Sequence, residues 1–178
     1  SVKLSALHPR YEMSQRKVML PVLTERLLKL AQLAAEVGIG LNIDAEEVDR
    51  LDLSLEIIEV ALSDSSLAGW DGFGVVVQAY CKKACYVLDW LYALSSSLDR
   101  RIMVRLVKGA YWDTEIKLSQ VLGLERYPVF TRKAHTDVSY LACVRKLLGM
   151  TDQIYPQFAT HNAHTAAAVL HMVTVAPS

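Results

Sequence analysis

The chain has 178 residues, 52% of them hydrophobic and 21% charged, with Lys+Arg and Asp+Glu balanced at 19 each. That length carries one domain with a sizeable core, and the composition excludes a disordered chain. Zero net charge argues against a nucleic-acid surface, and no apolar run is long enough for a membrane span.

In chain order, Val2–Leu7 reads as a short strand carrying Lys3 and closed by His8-Pro9. Apolar residues at helical spacing predict a helix over Leu20–Val37, capped by Gly38. Gly40–Asp44 reads as a second strand ending on a carboxylate. Ala45–Leu62 is expected to be helical, with Glu46 and Glu47 in its first turn, where the dipole favours them. Phe73–Gln78 is an apolar strand, Tyr80–Leu94 a helix and Ile102–Val107 a fourth strand interrupted by Arg105. A turn-rich loop around Gly123 and Pro128 leads to a helix over Thr136–Leu148. A strand over Gln153–Ala159 and a helix over Ala163–Met172 follow, and no composition shift marks a second domain, so residues 1–178 read as one unit.

Alternating strands and helices with near-continuous apolar strands call for a parallel α/β fold, either an open doubly wound sheet or a (β/α)8 TIM-type barrel. No G-x-G-x-x-G follows the first strand, which weakens the doubly wound reading. Lys3, Asp44, Gln78, Arg105 with Lys108, and Thr160-His161-Asn162 each lie in or at the end of a different strand, and a barrel gathers such positions at one mouth. The expectation is therefore a barrel, incomplete at about five of eight units, since a whole one takes about 250 residues. The chain, stopping at Ser178, reads as a piece of a longer protein.

The expected mouth holds an excess of cations, which suits a phosphate or carboxylate. There is no carboxylate pair for glycosidic work, no nucleophile elbow, no P-loop and no C-x-x-C. His161 and His164 are too few for a metal, and none is expected. Cys81 and Cys85, four apart, read as core packing on one helix face, and three cysteines with Cys143 favour a reduced compartment. Arg100-Arg101 precedes its strand, so it reads as a solvated face at the far end. A site with Gln, Arg, Lys, Thr and His but no nucleophile points to a cofactor, and a flavin or another anionic cofactor fits these residue types equally. The bland reading of Ile102–Asp113 is a core strand with a paired arginine.

Five stretches resemble the proline dehydrogenase barrel, in the form found in bacterial bifunctional proline-utilisation flavoproteins. They are Arg105-Leu-Val-Lys-Gly-Ala-Tyr-Trp-Asp113, Leu41-Asn-Ile-Asp-Ala-Glu-Glu47, Tyr127-Pro-Val-Phe-Thr-Arg-Lys133, Thr136-Asp-Val-Ser-Tyr-Leu-Ala-Cys143 and Pro156-Gln-Phe-Ala-Thr-His-Asn-Ala-His-Thr165. The resemblance implies FAD-dependent oxidation of L-proline to Δ1-pyrroline-5-carboxylate, with electrons passed to a quinone. It implies that Lys3 meets the substrate carboxylate, Asp44 orders the site, Tyr111 packs beside the ligand and Arg105 tunes the flavin. It also implies an FAD lining of Gln78, Arg105, Lys108, Gly109, Ala110, Trp112, Thr131, Lys133, Thr160, His161 and Asn162. A bacterial cytoplasmic location follows from it, with membrane association through parts not present. The family's paired arginine on a late helix has no counterpart here, so the piece alone is expected to be inactive. A non-catalytic, self-associating barrel fragment, or another flavin-binding barrel oxidoreductase, is the alternative.

Overall fold

The computed structural model describes residues 1–175; Ser178, where the sequence stops, lies outside them. Its elements are α1 (Leu4–Leu7), α2 (Arg16–Glu36), β1 (Leu41–Ile43), α3 (Leu51–Leu62), β2 (Phe73–Gln78), α4 (Ala84–Ser97), β3 (Ile102–Val107), α5 (Trp112–Val121), α6 (Lys133–Leu148), β4 (Ile154–Phe158) and α7 (Ala163–Val175). All strand pairs are parallel, in the spatial order β1-β2-β3-β4. A doubly wound sheet reverses its order at a switch point; this one runs in chain order across every described strand, as a barrel wall does.

The register sorts the side chains. Ile102, Val104 and Leu106 of β3 are fully buried beneath the helices, while Met103, Arg105 and Val107 are only half-buried on the other face. That second face is the inner wall. Asn42 lies opposite Gly74 there, and a Cβ on Gly74 would collide with the Asn42 side chain. Behind the sheet the core runs from Leu23 and Leu27 of α2 through Ile57 and Ile58 of α3 to Leu88, Leu91, Tyr140 and Leu147.

Several expectations are corrected. The strand over Val2–Leu7 shrinks to one bridge, Val2 to Ile43, because Val2 exchanges backbone bonds with Asn42 and Asp44 while Leu4 turns into a one-turn helix and buries. Five expected strands are thus four and a bridge. The helix expected from Ala45 begins at Leu51 after a 3-10 turn; Glu46 instead accepts the Ser5 N–H at 3.0 Å and pairs with Arg50, so neither it nor Glu47 sits in a first turn. The next helix starts at Ala84, leaving Tyr80 and Cys81 in a loop where Cys81 bridges to Val129. The two cysteines therefore share no helix face, and Cys85 lies 3.7 Å from Cys143 of α6 instead. A whole helix, α5, occupies part of the expected loop. Arg100 is no solvated residue: it is 7% exposed, its N–H bound to the Ser95 carbonyl, and desolvation pushes its pKa down. Arg101 stays exposed beside the Tyr155 ring.

Candidate active site

The strand ends converge as the barrel reading requires. Lys3, Asp44, Gln78, Lys108, Tyr111 and His161 line one open cavity of about 540 Å³, whose wall also includes Gly109, Ala110, Lys133, Thr160 and Asn162. A second space of about 400 Å³ adjoins it and shares Lys108, Gly109 and Lys133; Tyr80, Trp112, Thr131 and Thr136 complete its lining. Arg105 lines neither: two residues before Val107 on the same strand, it lies one layer deeper on the inner face.

Each group is held by local chemistry. Lys3 immediately precedes α1, at the point where the chain leaves the sheet, and its Nζ stands 5.8 Å from the Tyr111 ring centroid. Tyr111, ahead of Glu46 and Asp44, holds the Lys3 ammonium above its ordinary pKa. The Asp44 N–H donates to the Val2 carbonyl, so the bridge fixes both residues at the rim. Gln78, 8% exposed, is a strut: its Nε2 donates to the Glu46 carbonyl and its Oε1 accepts the Ala110 N–H, each at 2.9 Å. It therefore ties the loop after β1 to the loop after β3.

Gly109 has φ of 144°, and a Cβ there would stand 2.5 Å from the Tyr80 ring, so only glycine permits this close packing between the two spaces. Beyond it Trp112 opens α5 and donates its indole N–H to the Phe130 carbonyl at 2.8 Å, pinning the segment that carries Thr131. Thr160 Oγ1 accepts the Asn162 N–H, and Asn162 Oδ1 accepts the Thr165 N–H at 2.9 Å, so Asn162 is the N-cap of α7.

Sequence reasoning missed the residues that orient these. Asp137 binds Lys108 Nζ at 2.6 Å and Lys133 Nζ at 3.0 Å, and those ammoniums hold its carboxyl below the usual range. Thr165 gives Lys108 a further contact at 3.2 Å. Glu115, 4% exposed, accepts the Val48 N–H at 2.7 Å and joins α5 to the loop after Asp44; desolvation pushes its carboxyl pKa up. Gln157 meets Arg105 across the ladder. Only Asp137 left a signal: it lies four residues after Lys133 on a helix, the spacing of an ion pair.

A cluster of cations with one bridging carboxylate, beside a long two-part cavity at the ends of parallel strands, is built for an extended anionic ligand. The family model described as proline dehydrogenase matches residues 1–177. The chain belongs to the proline dehydrogenase family. Among curated relatives, the bifunctional protein PutA of Salmonella typhimurium is 58% identical over 172 residues, covering 97% of this chain and 13% of that protein. The chain therefore spans only a small part of the length of the relatives it matches. A crystal structure of Bradyrhizobium japonicum proline utilization A superposes with a TM-score of 0.96 at 57% identity, over 97% of this chain and 18% of that one. Proline utilization A from Bdellovibrio bacteriovorus, inactivated by N-propargylglycine, gives 0.93 at 31% identity over 97% of this chain and 18% of that one. With this family the sheet is a section of a TIM-type barrel wall, as the chain-order strands require.

Proposed function

We propose that this chain forms one side of an FAD-dependent site that oxidises L-proline to Δ1-pyrroline-5-carboxylate, in a protein that passes the electrons to a quinone. The observation that carries the reading is the two-part cavity, in which Lys108 and Lys133, both paired with Asp137, line both parts and Lys3 with Tyr111 lines only the larger.

The residues present fit FAD. Two ammoniums on one carboxylate leave a net positive charge for a pyrophosphate, and Gly109 lets the backbone lie against the Tyr80 ring where the two spaces adjoin. Lys108, Lys133, Thr131, Gly109, Ala110 and Trp112 would hold the cofactor's polar length, with Gln78, Thr160, His161 and Asn162 at the rim. When bound, FAD supplies the two-electron acceptor that no side chain here provides.

The chain's own residues bind and orient. Lys3, its ammonium beside the Tyr111 ring, meets the proline carboxylate; Asp44 orders the groups around it; Tyr111 encloses the ring. Arg105 places a cation on the inner wall beneath them. The N-propargylglycine that inactivates the Bdellovibrio relative is itself an N-substituted amino acid, in keeping with a site for a secondary amine.

The test is an absorbance spectrum of the purified full-length protein, before and after proline under anaerobic conditions. A flavin spectrum that proline bleaches is expected. A colourless protein, or a flavin untouched by proline, would overturn the reading.

A further inference from the structure

Gln157 has no part in the mouth, yet it is the ladder partner of Arg105. Paired residues of a parallel ladder share a face, so both side chains stand on the inner wall. Arg105 Nε donates to Gln157 Oε1 at 3.3 Å, and Gln157 Nε2 approaches Met103 Sδ at 3.7 Å. These two contacts agree on the orientation of the amide. Turned over, it would set its N–H donors against the guanidinium and its oxygen against the thioether sulfur. The terminal guanidinium nitrogens make no hydrogen bond or ion pair among the described residues.

The acceptor is neutral, and that choice has consequences. A carboxylate here would pair with the fork of the guanidinium and cancel much of its field. An amide accepts one N–H and leaves the charge whole. A half-buried cation with that charge intact is useful only to a group that gains from it.

We infer that Gln157 is a positioning residue: it orients the Arg105 guanidinium on the inner wall without neutralising it, so that a flavin bound in the cavity above would feel the field of an undiminished cation. The inference rests on the FAD-dependent reading above. Gln157 lines neither space of the cavity, so it would act through Arg105. A cation held near the ring raises its reduction potential, and an added carboxylate lowers it.

The experiment compares wild type, Q157E and Q157L as full-length, FAD-loaded protein. The reduction potential of the bound FAD and its rate of reduction by proline are both measured. Q157E, which keeps the size and the acceptor but adds a charge, lowers the potential and leaves the proline KM within about twofold. Q157L, which frees the guanidinium, slows reduction on the order of tenfold. In an R105M background Q157L has no further effect, because the residue it acts through is gone. Wild-type potential and rate in both variants would overturn the inference alone, as would an undiminished Q157L effect in R105M. A wild type that holds no FAD, or whose FAD proline leaves oxidised, overturns the functional reading and this inference with it. Should Q157L fail to fold, the Q157E potential decides.

Discussion

The two faces of β3 have the same backbone and the same three-residue count, and they do opposite work. Ile102, Val104 and Leu106 are dry and sealed by helices, whereas Met103, Arg105 and Val107 remain half open on the inner wall. One face holds the strand in place; the other spends that rigidity on a cation that no core would tolerate. A site laid on a strand inherits the precision of the packing behind it.

The largest effect expected is on the sealed face. Leu106→Ala should cost about 2–5 kcal/mol of folding stability, while Arg105→Leu, one residue away, should change stability by less than about 1 kcal/mol. Chemical denaturation of both variants measures the contrast, and equal losses would erase the distinction between the faces. Next comes the joint between the two spaces. Gly109→Ala forces a Cβ against the Tyr80 ring at a φ of 144°, and should cost about 1–3 kcal/mol. FAD retention on gel filtration should fall in the same variant.

Glu115→Ala leaves the Val48 N–H without its acceptor and should cost about 1–3 kcal/mol. Glu115→Gln keeps that bond and removes only the charge. Because burial raises the folded pKa, the carboxyl binds its proton more tightly when folded. Its contribution is greatest below the ordinary glutamate range and fades as pH rises through the folded value. The Gln variant should therefore lose that pH slope, read from denaturation midpoints across mildly acid to neutral pH. The smallest effect belongs to Asp137, whose folded pKa lies below the ordinary value. Its contribution is present above the usual aspartate range and is lost as pH falls through the folded value. Asp137 is more than a third exposed, so Asp137→Asn should cost under about 1 kcal/mol, with the acid limb of the stability profile flattened.

Much of this was legible in the sequence. The apolar runs at Phe73–Gln78 and Ile102–Val107 are strands over the expected residues, and the polar groups at their ends meet at one mouth. What escaped did so for physical reasons. α5 was hidden because its buried face carries Glu115 and Ser119, so no hydrophobic period marks it. The start of α3 was misplaced because Glu46 is used by Ser5 and Arg50 and not by the helix dipole. Arg100 read as solvated because nothing in the sequence announces that Ser95 folds the turn back over it. Gln157 and Asp137 matter through the partners that β-register and helix packing give them, and apart from Lys133 those partners, Arg105 and Lys108, lie far along the chain.

The order of the strands bears on how the polypeptide acquires its shape. Among the described residues every strand pairs with the one made just before it, with one helix in between, or two between β3 and β4. A nascent chain leaving the ribosome can therefore add one strand and its covering helix at a time, never waiting for a distant segment to complete a neighbour. Crossover pairing is intrinsically slow, and exposed edges invite aggregation while it proceeds. Growth in strict succession moves only one edge of the sheet, that of the most recent strand, while the β1 edge keeps the same cover from the Val2 bridge throughout.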